Sequence, residues 1–456
     1  MPVTLVNPAV DDQRNKNMKK KLLTLLLVAT VGQSGFAQQI DKAKLDNYFN
    51  ALEANNKFMG SVAVSRDGAV IYSKTVGFAD VENKVKADET SKYRIGSISK
   101  TFTSVLIFKA IEENKLDLSQ TIDKFFPTIK NAGKITIKHL LGHRSGISNF
   151  TNDKEYLTWY TQAKTEKEMV AIIAKGGSEF EPDSKAAYSN SNYVLLTYIL
   201  EKTFKKPYGE LLQKYISKPL GLQNTYVFGK INVDKHEVNS YTFAGYWKIE
   251  PETDFSIPLG AGGISSTATD LTKFNDALFG GKLLKSESLV LMKDIKDGFG
   301  LGLFKSPFYD KSSYGHTGSI DGFRSVFQFF SDGNISYALV SNGTNFNTNN
   351  ISIAVLSAVY DKPYELPVFS NYKVDAKDLD AYLGVYSAKD FPLKITITKD
   401  NEVLMAQATG QLSFPLEATE KDKFRFEQAG VVFEFNPAQK NMVFKQSGQQ
   451  FTLTKE

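Results

Sequence analysis

The chain has 456 residues, of which 42% are hydrophobic, so it is long enough to bury the cores of two globular domains. Its formal charge of +5 falls to about +2 once residues 1–37 are set aside, which excludes the basic footprint of a nucleic-acid-binding protein. The lack of cysteine excludes disulfides, thiolate metal sites and a lipidated N-terminal cysteine.

Residues 1–37 are predicted to be an N-terminal extension followed by a secretory signal peptide. A basic segment at residues 18–21 precedes an apolar run at residues 22–31, and small residues follow up to Ala37. The apolar run is about half the roughly 20 residues needed to cross a bilayer, which disfavours a membrane anchor. We therefore expect cleavage near Ala37, a periplasmic or secreted bacterial protein, and no stable membrane anchor after cleavage.

Two β-hairpin patterns bracket a helix-rich middle of the chain. Residues 61–65 and 69–73 flank an Arg-Asp-Gly turn, and residues 325–330 and 335–341 flank Ser-Asp-Gly-Asn. Helical periodicity is clearest over five segments, residues 101–113, 167–174, 193–203, 271–278 and 351–360. The pattern predicts an α+β domain, in which helices are inserted into an antiparallel sheet closed by both ends of the domain.

A second domain is predicted after residue 376. Pro363 and Pro367 interrupt the earlier pattern, so we expect domain boundaries at 38–362, a linker at 363–376 and a β domain at 377–456. Its candidate strands are residues 393–398, 402–407, 423–427, 431–435, 442–445 and 451–454. Six or more short strands in this length predict a small antiparallel barrel or sandwich.

Ser97 and Lys100 stand where a glycine-containing stretch runs into the helix predicted over residues 101–113. A spacing of three puts both side chains on one helix face, where an amine can serve as base for a serine hydroxyl. Positive potential at the helix start disfavours the protonated form of Lys100 and favours negative charge that develops on the oxygen of Ser97. The same S-x-x-K pattern recurs at Ser370 and Lys373, but without an apolar helix behind it, so we interpret that copy as accidental.

Two other motifs lie where a loop enters a regular element. Tyr188-Ser189-Asn190 precedes the helix predicted over residues 193–203, and His316-Thr317-Gly318 precedes the strand predicted at residues 325–330.

In this order, the three motifs resemble those of the penicillin-recognising serine hydrolases: class C β-lactamases, D-Ala-D-Ala carboxypeptidases, D-aminopeptidases and related esterases. Supporting segments are similar too, at residues 140–147, 261–266 and 298–302, and the likeness spans about residues 45–345. Residues 371–456 resemble the lipocalin-like β domain appended to some members. The resemblance implies a β-lactamase/transpeptidase-like fold, in which an antiparallel sheet carries a helical subdomain, and no cofactor.

The resemblance also implies roles for the motif residues. Ser97 would attack a carbonyl and form an acyl-enzyme, while Lys100 and Tyr188 would share the work of general base and general acid. Which of the two takes the serine proton stays open at this point. Asn190 would bind the substrate amide and orient Lys100, and the backbone N–H groups of Ser97 and Ser319 would form the oxyanion hole.

His316, Thr317 and Gly318 would bind substrate, and His316 departs from the classical β-lactamases. Those enzymes carry lysine at this position, which meets the carboxylate of the drug. Histidine is mostly neutral at pH 7 and supplies a weaker fixed charge. The departure shifts the expected substrate from β-lactams toward peptides or esters.

The predicted function is that of an exported serine hydrolase acting on amide or ester bonds. A D-alanyl carboxypeptidase or D-aminopeptidase is the first choice, an esterase the second and a class C-like β-lactamase the third. The substrate would be a small molecule or short peptide, with peptidoglycan fragments among the candidates. The alternative from another class is a penicillin- or muropeptide-binding protein with little turnover. An α/β-hydrolase is disfavoured because the chain has no G-x-S-x-G motif.

Other candidates have simpler interpretations. His139 and His143 are four residues apart and could face one metal ion, but no third ligand accompanies them, so no metal site is expected. His143 is predicted to hydrogen-bond the backbone of a loop. Tyr156, Trp159 and Tyr160 could line a substrate wall, although aromatic clusters are more often plain packing.

Overall fold

The computed structural model describes residues 40–369, 372, 374–411 and 413–456. The predicted signal peptide and the Ser370/Lys373 copy of the motif therefore lie outside the described residues. The description below concerns the compact unit Lys42–Glu456. None of the described helices is long and apolar enough to cross a membrane.

The helices and strands are numbered in chain order. The helices are α1 (Lys42–Ala54), α2 (Ser99–Glu112), α3 (Ile137–Leu141), α4 (Tyr156–Trp159), α5 (Glu166–Gly176), α6 (Asn190–Phe204), α7 (Tyr208–Leu212), α8 (Lys218–Leu220), α9 (Leu259–Gly262), α10 (Ala268–Phe279), α11 (Ser286–Lys293) and α12 (Thr348–Val359). The strands that precede the C-terminal barrel are β1 (Phe58–Arg66), β2 (Ala69–Val76), β3 (Phe78–Asp80), β4 (Val85–Lys86), β5 (Tyr93–Arg94), β6 (Tyr226–Val227), β7 (Tyr241–Phe243), β8 (Trp247–Ile249), β9 (Ile264–Ser266), β10 (Phe304–Phe308), β11 (Lys311–Ile320), β12 (Phe323–Phe330) and β13 (Ile335–Thr344). The barrel strands are β14 (Gly384–Ala388), β15 (Phe391–Asp400), β16 (Val403–Ala408), β17 (Phe414–Glu420), β18 (Lys423–Phe426), β19 (Val431–Asn436), β20 (Asn441–Gln446) and β21 (Gln449–Lys455).

A six-stranded sheet in the order β10-β11-β12-β13-β1-β2 forms the framework of the first domain. Both predicted hairpins are confirmed, as β1–β2 and β12–β13. β1 pairs antiparallel with β13, with Val62 opposite Leu339, so strands from the two ends of the domain are neighbours. The prediction of a sheet closed by both ends of the domain is therefore confirmed.

Helix α2 lies at the centre of this domain. Every residue of it from Ser99 to Phe108 is buried, so the helix is enclosed on all sides rather than amphipathic. The ring of Phe102 stacks on Phe274 of α10, with centroids 3.8 Å apart, and α10 in turn packs on β1 and β13. Helix α6 packs against α2 from the other side. The segment just before α2 is therefore held between the sheet and the helical region.

The C-terminal strands form a closed eight-stranded antiparallel barrel, β14 to β21. Its core contains Phe424, Phe433, Met442 and Leu453. The six predicted strands are all present. The sequence pattern missed β14, which is short and begins with glycine, and β17, which contains Pro415 and two glutamates.

The barrel packs against the first domain. The buried Lys57, just before β1, pairs with Glu417 of β17 at 2.6 Å, and the Gln428 side chain donates to the carbonyl of Thr344. In the turn between β7 and β8, a Cβ added to Gly245 would lie 2.1 Å from a side-chain carbon of Val403. Close packing at that turn therefore requires glycine.

Candidate active site

Ser97 lies in a one-turn 3₁₀ segment, Gly96–Ile98, that continues directly into α2. Gly96 has φ +49°, and a Cβ there would lie 2.8 Å from the backbone nitrogen of Ser319 in β11. A Cβ on Gly318 would lie 2.0 Å from the carbonyl oxygen of Ile95. Two glycines thus allow the turn carrying Ser97 and the strand carrying Ser319 to approach backbone to backbone.

Lys100 is fully buried on the first turn of α2. Its Nζ lies 3.0 Å from Ser97 Oγ, 2.7 Å from Asn190 Oδ1 and 2.6 Å from the carbonyl oxygen of Ala261. Burial lowers the pKa of Lys100 well below its ordinary value. In the part of the chain that the structure describes, no carboxylate forms an ion pair with Lys100, so its neighbours are neutral oxygens and carry no compensating charge.

Tyr188 contacts the same serine. Its hydroxyl donates to Ser97 Oγ at 2.7 Å, and its ring centroid lies 4.9 Å from Lys100 Nζ. Burial raises the pKa of Tyr188 to about 12, so the phenol keeps its proton at neutral pH. Ser97 Oγ is therefore held between a buried amine and a protonated phenol.

Asn190 begins α6, and its two amide atoms face different neighbours. Oδ1 accepts from Lys100 Nζ, while Nδ2 donates to Thr151 Oγ1 at 3.1 Å. The backbone N–H of Asn190 donates to Asn149 Oδ1. These contacts fix the side chain and, through it, the position of the lysine amine.

His316 is buried on β11 as a neutral imidazole. Its Nδ1 lies 2.6 Å from the carbonyl oxygen of Thr317, and because a carbonyl only accepts, Nδ1 carries the ring proton. Burial, and then the nearby Lys100, lower the pKa of His316 to about 3. The ring packs against Phe304, with centroids 4.5 Å apart. At pH 7 this side chain supplies no fixed positive charge.

Two cavities meet at Ser97, and both are lined by Ser97 and Ser319. The larger one, of about 440 Å³, has the aromatic wall Phe150, Tyr156 and Tyr160. Tyr156 and Tyr160 thus face the cavity, whereas Trp159 stacks on Phe150. Tyr156 and Tyr160 therefore fit the interpretation as a substrate wall, and Trp159 fits the interpretation as plain packing.

The smaller cavity, of about 340 Å³, lies on the side of Tyr188. His316 and Thr317 line it, and Arg324 lines both cavities. The sequence motifs did not indicate Arg324, but the hairpin register could have. Asp321-Gly322 forms a two-residue turn, and Arg324 on β12 consequently stands opposite Ser319 on β11.

The larger cavity also contains Glu250, just after β8, which no motif indicated. It accepts a hydrogen bond from the hydroxyl of Thr242 at 2.6 Å. Glu250 lies between motifs in a region without clear periodicity, so the sequence carried no signal for it.

The two histidines near residue 140 have structural contacts. His139 Nδ1 accepts from the N–H of Thr136 and completes a capping box at the start of α3. His143 Nδ1 accepts from the N–H of Ser189, as expected for a loop histidine that bonds to backbone. His143 therefore supports the segment that carries Tyr188 and Asn190. Within the described ranges, no three His, Asp or Glu side chains are grouped so that they could hold a metal ion.

The chain is similar to several known proteins. Residues 45–360 match the β-lactamase family model. Penicillin-binding protein 4* of Bacillus subtilis (strain 168) is 24% identical to the chain, across 91% of the chain and 98% of that protein. Teichoic acid D-alanine hydrolase of Staphylococcus aureus (strain MRSA252) is 29% identical, across 50% of the chain and 55% of that protein. The D-amino acid amidase structure from Ochrobactrum anthropi SV3 is 25% identical, with a TM-score of 0.61 over 70% of the chain and 99% of the amidase.

Proposed function

The chain belongs to the β-lactamase family, and we propose that it is a serine hydrolase that cleaves amide or ester bonds of D-amino acids through an acyl-enzyme on Ser97. One observation carries the proposal. Ser97 Oγ lies 3.0 Å from a buried lysine amine and 2.7 Å from a tyrosine hydroxyl, at the junction of two cavities.

The contacts of Lys100 support the role of base. A neutral amine has two N–H groups and one lone pair. Two of its three neighbours, the Asn190 and Ala261 carbonyl oxygens, can only accept, so the two N–H groups are directed at them. The lone pair is then left for the hydroxyl proton of Ser97. The serine oxygen attacks the substrate carbonyl as this proton passes to Lys100, a transfer typically worth about 10²- to 10⁴-fold in rate.

Tyr188 has the complementary role of acid. Because its pKa is raised to about 12, it enters the reaction as a phenol and can protonate the departing amine or alkoxide. The Lys100 ammonium then returns a proton to the tyrosinate, so that the net transfer is from Ser97 to the leaving group. In deacylation a water molecule attacks the ester, its proton enters the same relay, and Ser97 leaves as a hydroxyl.

The negative charge that develops on the substrate oxygen needs donors beside Ser97. The backbone N–H groups of Ser97 and Ser319 are the proposed oxyanion hole, and the close approach at Gly96 and Gly318 supports this pairing. Each such donor is typically worth about 10²- to 10³-fold in rate.

The substrate preference follows from the cavities and the relatives. The neutral His316 cannot pair with the carboxylate of a β-lactam as a lysine would, which disfavours efficient β-lactam hydrolysis. Two similar proteins are named for D-amino acid amides and for D-alanine on teichoic acid. We propose a D-alanyl carboxypeptidase or D-aminopeptidase activity first, an esterase second and a β-lactamase third.

A second candidate is a penicillin- or muropeptide-binding protein that acylates with little turnover. The match to penicillin-binding protein 4* over 98% of its length favours this alternative.

In the test, the purified protein is incubated separately with a D-alanine anilide, D-alanyl dipeptides, a p-nitrophenyl ester, a chromogenic cephalosporin and a fluorescent penicillin. We expect turnover of D-alanyl amides or esters, and labelling that disappears in Ser97→Ala. Ser119→Ala, which changes an exposed serine, is the matched control. Labelling without turnover would support the binding protein, and activity retained in Ser97→Ala would refute the nucleophile.

Two proposals rest on sequence alone. These are export to the periplasm or medium with cleavage near Ala37, and the division into domains at residues 38–362 and 377–456.

A further inference from the structure

A buried ion pair beside the larger cavity has no part in the proton relay. Arg94 Nη1 lies 2.9 Å from Asp321 Oδ2, and the two side chains are 2% and 1% exposed. Arg94 is the last residue of β5, three residues before Ser97, and Asp321 begins the turn two residues after Ser319. The pair therefore joins the two segments that carry the proposed oxyanion donors.

Each partner of the pair has further contacts that fix its position. The second oxygen of Asp321 accepts from the backbone N–H of Thr253 at 3.1 Å and from its hydroxyl at 2.6 Å. Arg94 donates to the carbonyl oxygens of Gly229 at 3.0 Å and of Thr253 at 3.3 Å, and its Nη2 pairs with Glu252. The pair thus connects four stretches of chain that are far apart in sequence.

Stability alone is a weak reason for a buried pair of this kind. Both charges lose their hydration, and a well-packed apolar pair of similar volume often stabilises a protein equally well. What the planar guanidinium adds is direction, because its N–H groups point along fixed lines at charged oxygens. Contacts of this kind fix the distance between β5 and the end of β11 more sharply than apolar packing does.

The ion pair also complements the close contact made by the two glycines. Gly96 and Gly318 allow the turn of Ser97 and strand β11 to approach, and the pair holds the same two segments together on the far side of Ser319. Asp321 lines the larger cavity, but Arg94 and Thr253 engage both of its oxygens. Its contacts are therefore those of a group that fixes backbone rather than one that binds substrate.

We propose that Arg94 and Asp321 are positioning residues that hold the backbone N–H groups of Ser97 and Ser319 at the spacing that an oxyanion requires. This inference rests on the proposed function, because it takes Ser97 as the nucleophile and these two N–H groups as the oxyanion hole. The charge on the substrate oxygen develops only in the transition state. Displaced donors should therefore lower kcat and leave KM nearly unchanged.

The double variant Arg94→Met/Asp321→Leu tests this role, since it removes both charges and leaves neither partner of the pair as an unpaired ion. For D-alanine methyl ester we expect kcat per folded molecule to fall by about 10²-fold, with KM changed by less than about 3-fold. Arg94→Lys keeps the charge but lacks the fork of N–H groups, so it should retain part of kcat. Circular dichroism and thermal unfolding give the folded fraction of each variant.

A thionoester provides a readout that a purely structural role would not change. Sulfur accepts hydrogen bonds more weakly than oxygen, so an aligned oxyanion hole favours D-alanine methyl ester over its thionoester. We expect the wild-type ratio of kcat/KM for oxygen over sulfur to be about 10² or more, and to fall by about 10-fold in the double variant. Partial unfolding lowers both rates equally and leaves this ratio unchanged. D-alanine anilide and its thioanilide serve in the same way if only amides are cleaved.

Lys57→Met is the matched control, because it breaks another buried ion pair. Lys57 and Glu417 line a separate cavity next to the barrel, so this variant should lose stability but keep the wild-type ratio. Should the double variant fail to fold, a lowered ratio in Arg94→Lys would support the inference. A wild-type ratio or a wild-type kcat in the folded variants of the pair would overturn it while the hydrolase activity stands. Failure of the wild-type protein on every substrate would instead refute the proposed function.

Discussion

Replacing Lys100 with methionine tests whether the buried amine is neutral in the folded protein. The unfolded chain keeps a lysine pKa of about 10.4, whereas burial lowers the pKa of Lys100 in the folded state. Between these two pKa values the unfolded state binds one more proton, so the free energy of unfolding of the wild type rises with pH. For one proton the slope is at most about 1.4 kcal/mol per pH unit, or about 2.7 kcal/mol over two units. The Lys100→Met variant has no amine at this position and therefore lacks this pH dependence of the free energy of unfolding.

The assay is denaturant unfolding of wild type and Lys100→Met at about pH 7.5 and about pH 9.5, with the exposed Lys138→Met as control. We expect the wild type to gain stability relative to Lys100→Met as the pH rises. The difference in stability between the wild type and Lys138→Met should not change with pH. Lys100→Met should also lower turnover by at least about 10²-fold. A difference from the wild type that does not change with pH would mean that Lys100 is protonated in the folded protein, and the base assignment would fail.

Two other substitutions test the strand beside Ser97. His316 has a pKa of about 3 in the folded protein and about 6.5 in the unfolded chain. Between these values the unfolded state binds one more proton, so the wild type should lose stability relative to His316→Gln as the pH falls below about 6.5. The loss is up to about 1.4 kcal/mol per pH unit. Unfolding curves at pH 7 and below measure this, and parallel pH dependences would contradict a neutral His316. Gly318→Ala places a Cβ 2.0 Å from the Ile95 carbonyl and should separate the strand from the Ser97 turn, with about 10²-fold loss of kcat/KM and about 1–3 kcal/mol of stability. Gly133→Ala, where a Cβ meets nothing within 4 Å, is the control, and a Gly318→Ala enzyme of normal rate would remove the need for that close contact.

Much of the framework could be predicted because its signals are local. The turn residues between residues 65 and 69 set the first hairpin, and the apolar stretches of α2, α6 and α10 are visible in any short window of sequence. The S-x-x-K spacing is local too, since one helical turn brings Ser97 and Lys100 together.

What the sequence missed depends on contacts between distant segments. The lowered pKa of His316 comes from burial that no local pattern reveals. Arg324 and Glu250 line the site only because folding brings Ser97 next to β11 and the β7–β8 hairpin. Strand β17 was missed because Pro415 and its two glutamates, one of which pairs with Lys57 of the first domain, obscure its alternation. The motif order could indicate a family, but which residues face each cavity is a property of the folded chain.

The pairing of β1 with β13 has a consequence for biosynthesis. The proposed nucleophile and its lysine lie early in the chain, whereas Ser319 and His316 belong to strands made near the end of the same domain. A nascent chain that ends before β11 carries Ser97 and Lys100 but lacks Ser319, the second proposed oxyanion donor, and the partner strand of β1. Pairing between such distant segments is slow to form, so we expect the site to be assembled only after β11 to β13 have been synthesised. The proposed acyl transfer is therefore expected only in a molecule whose first domain is complete.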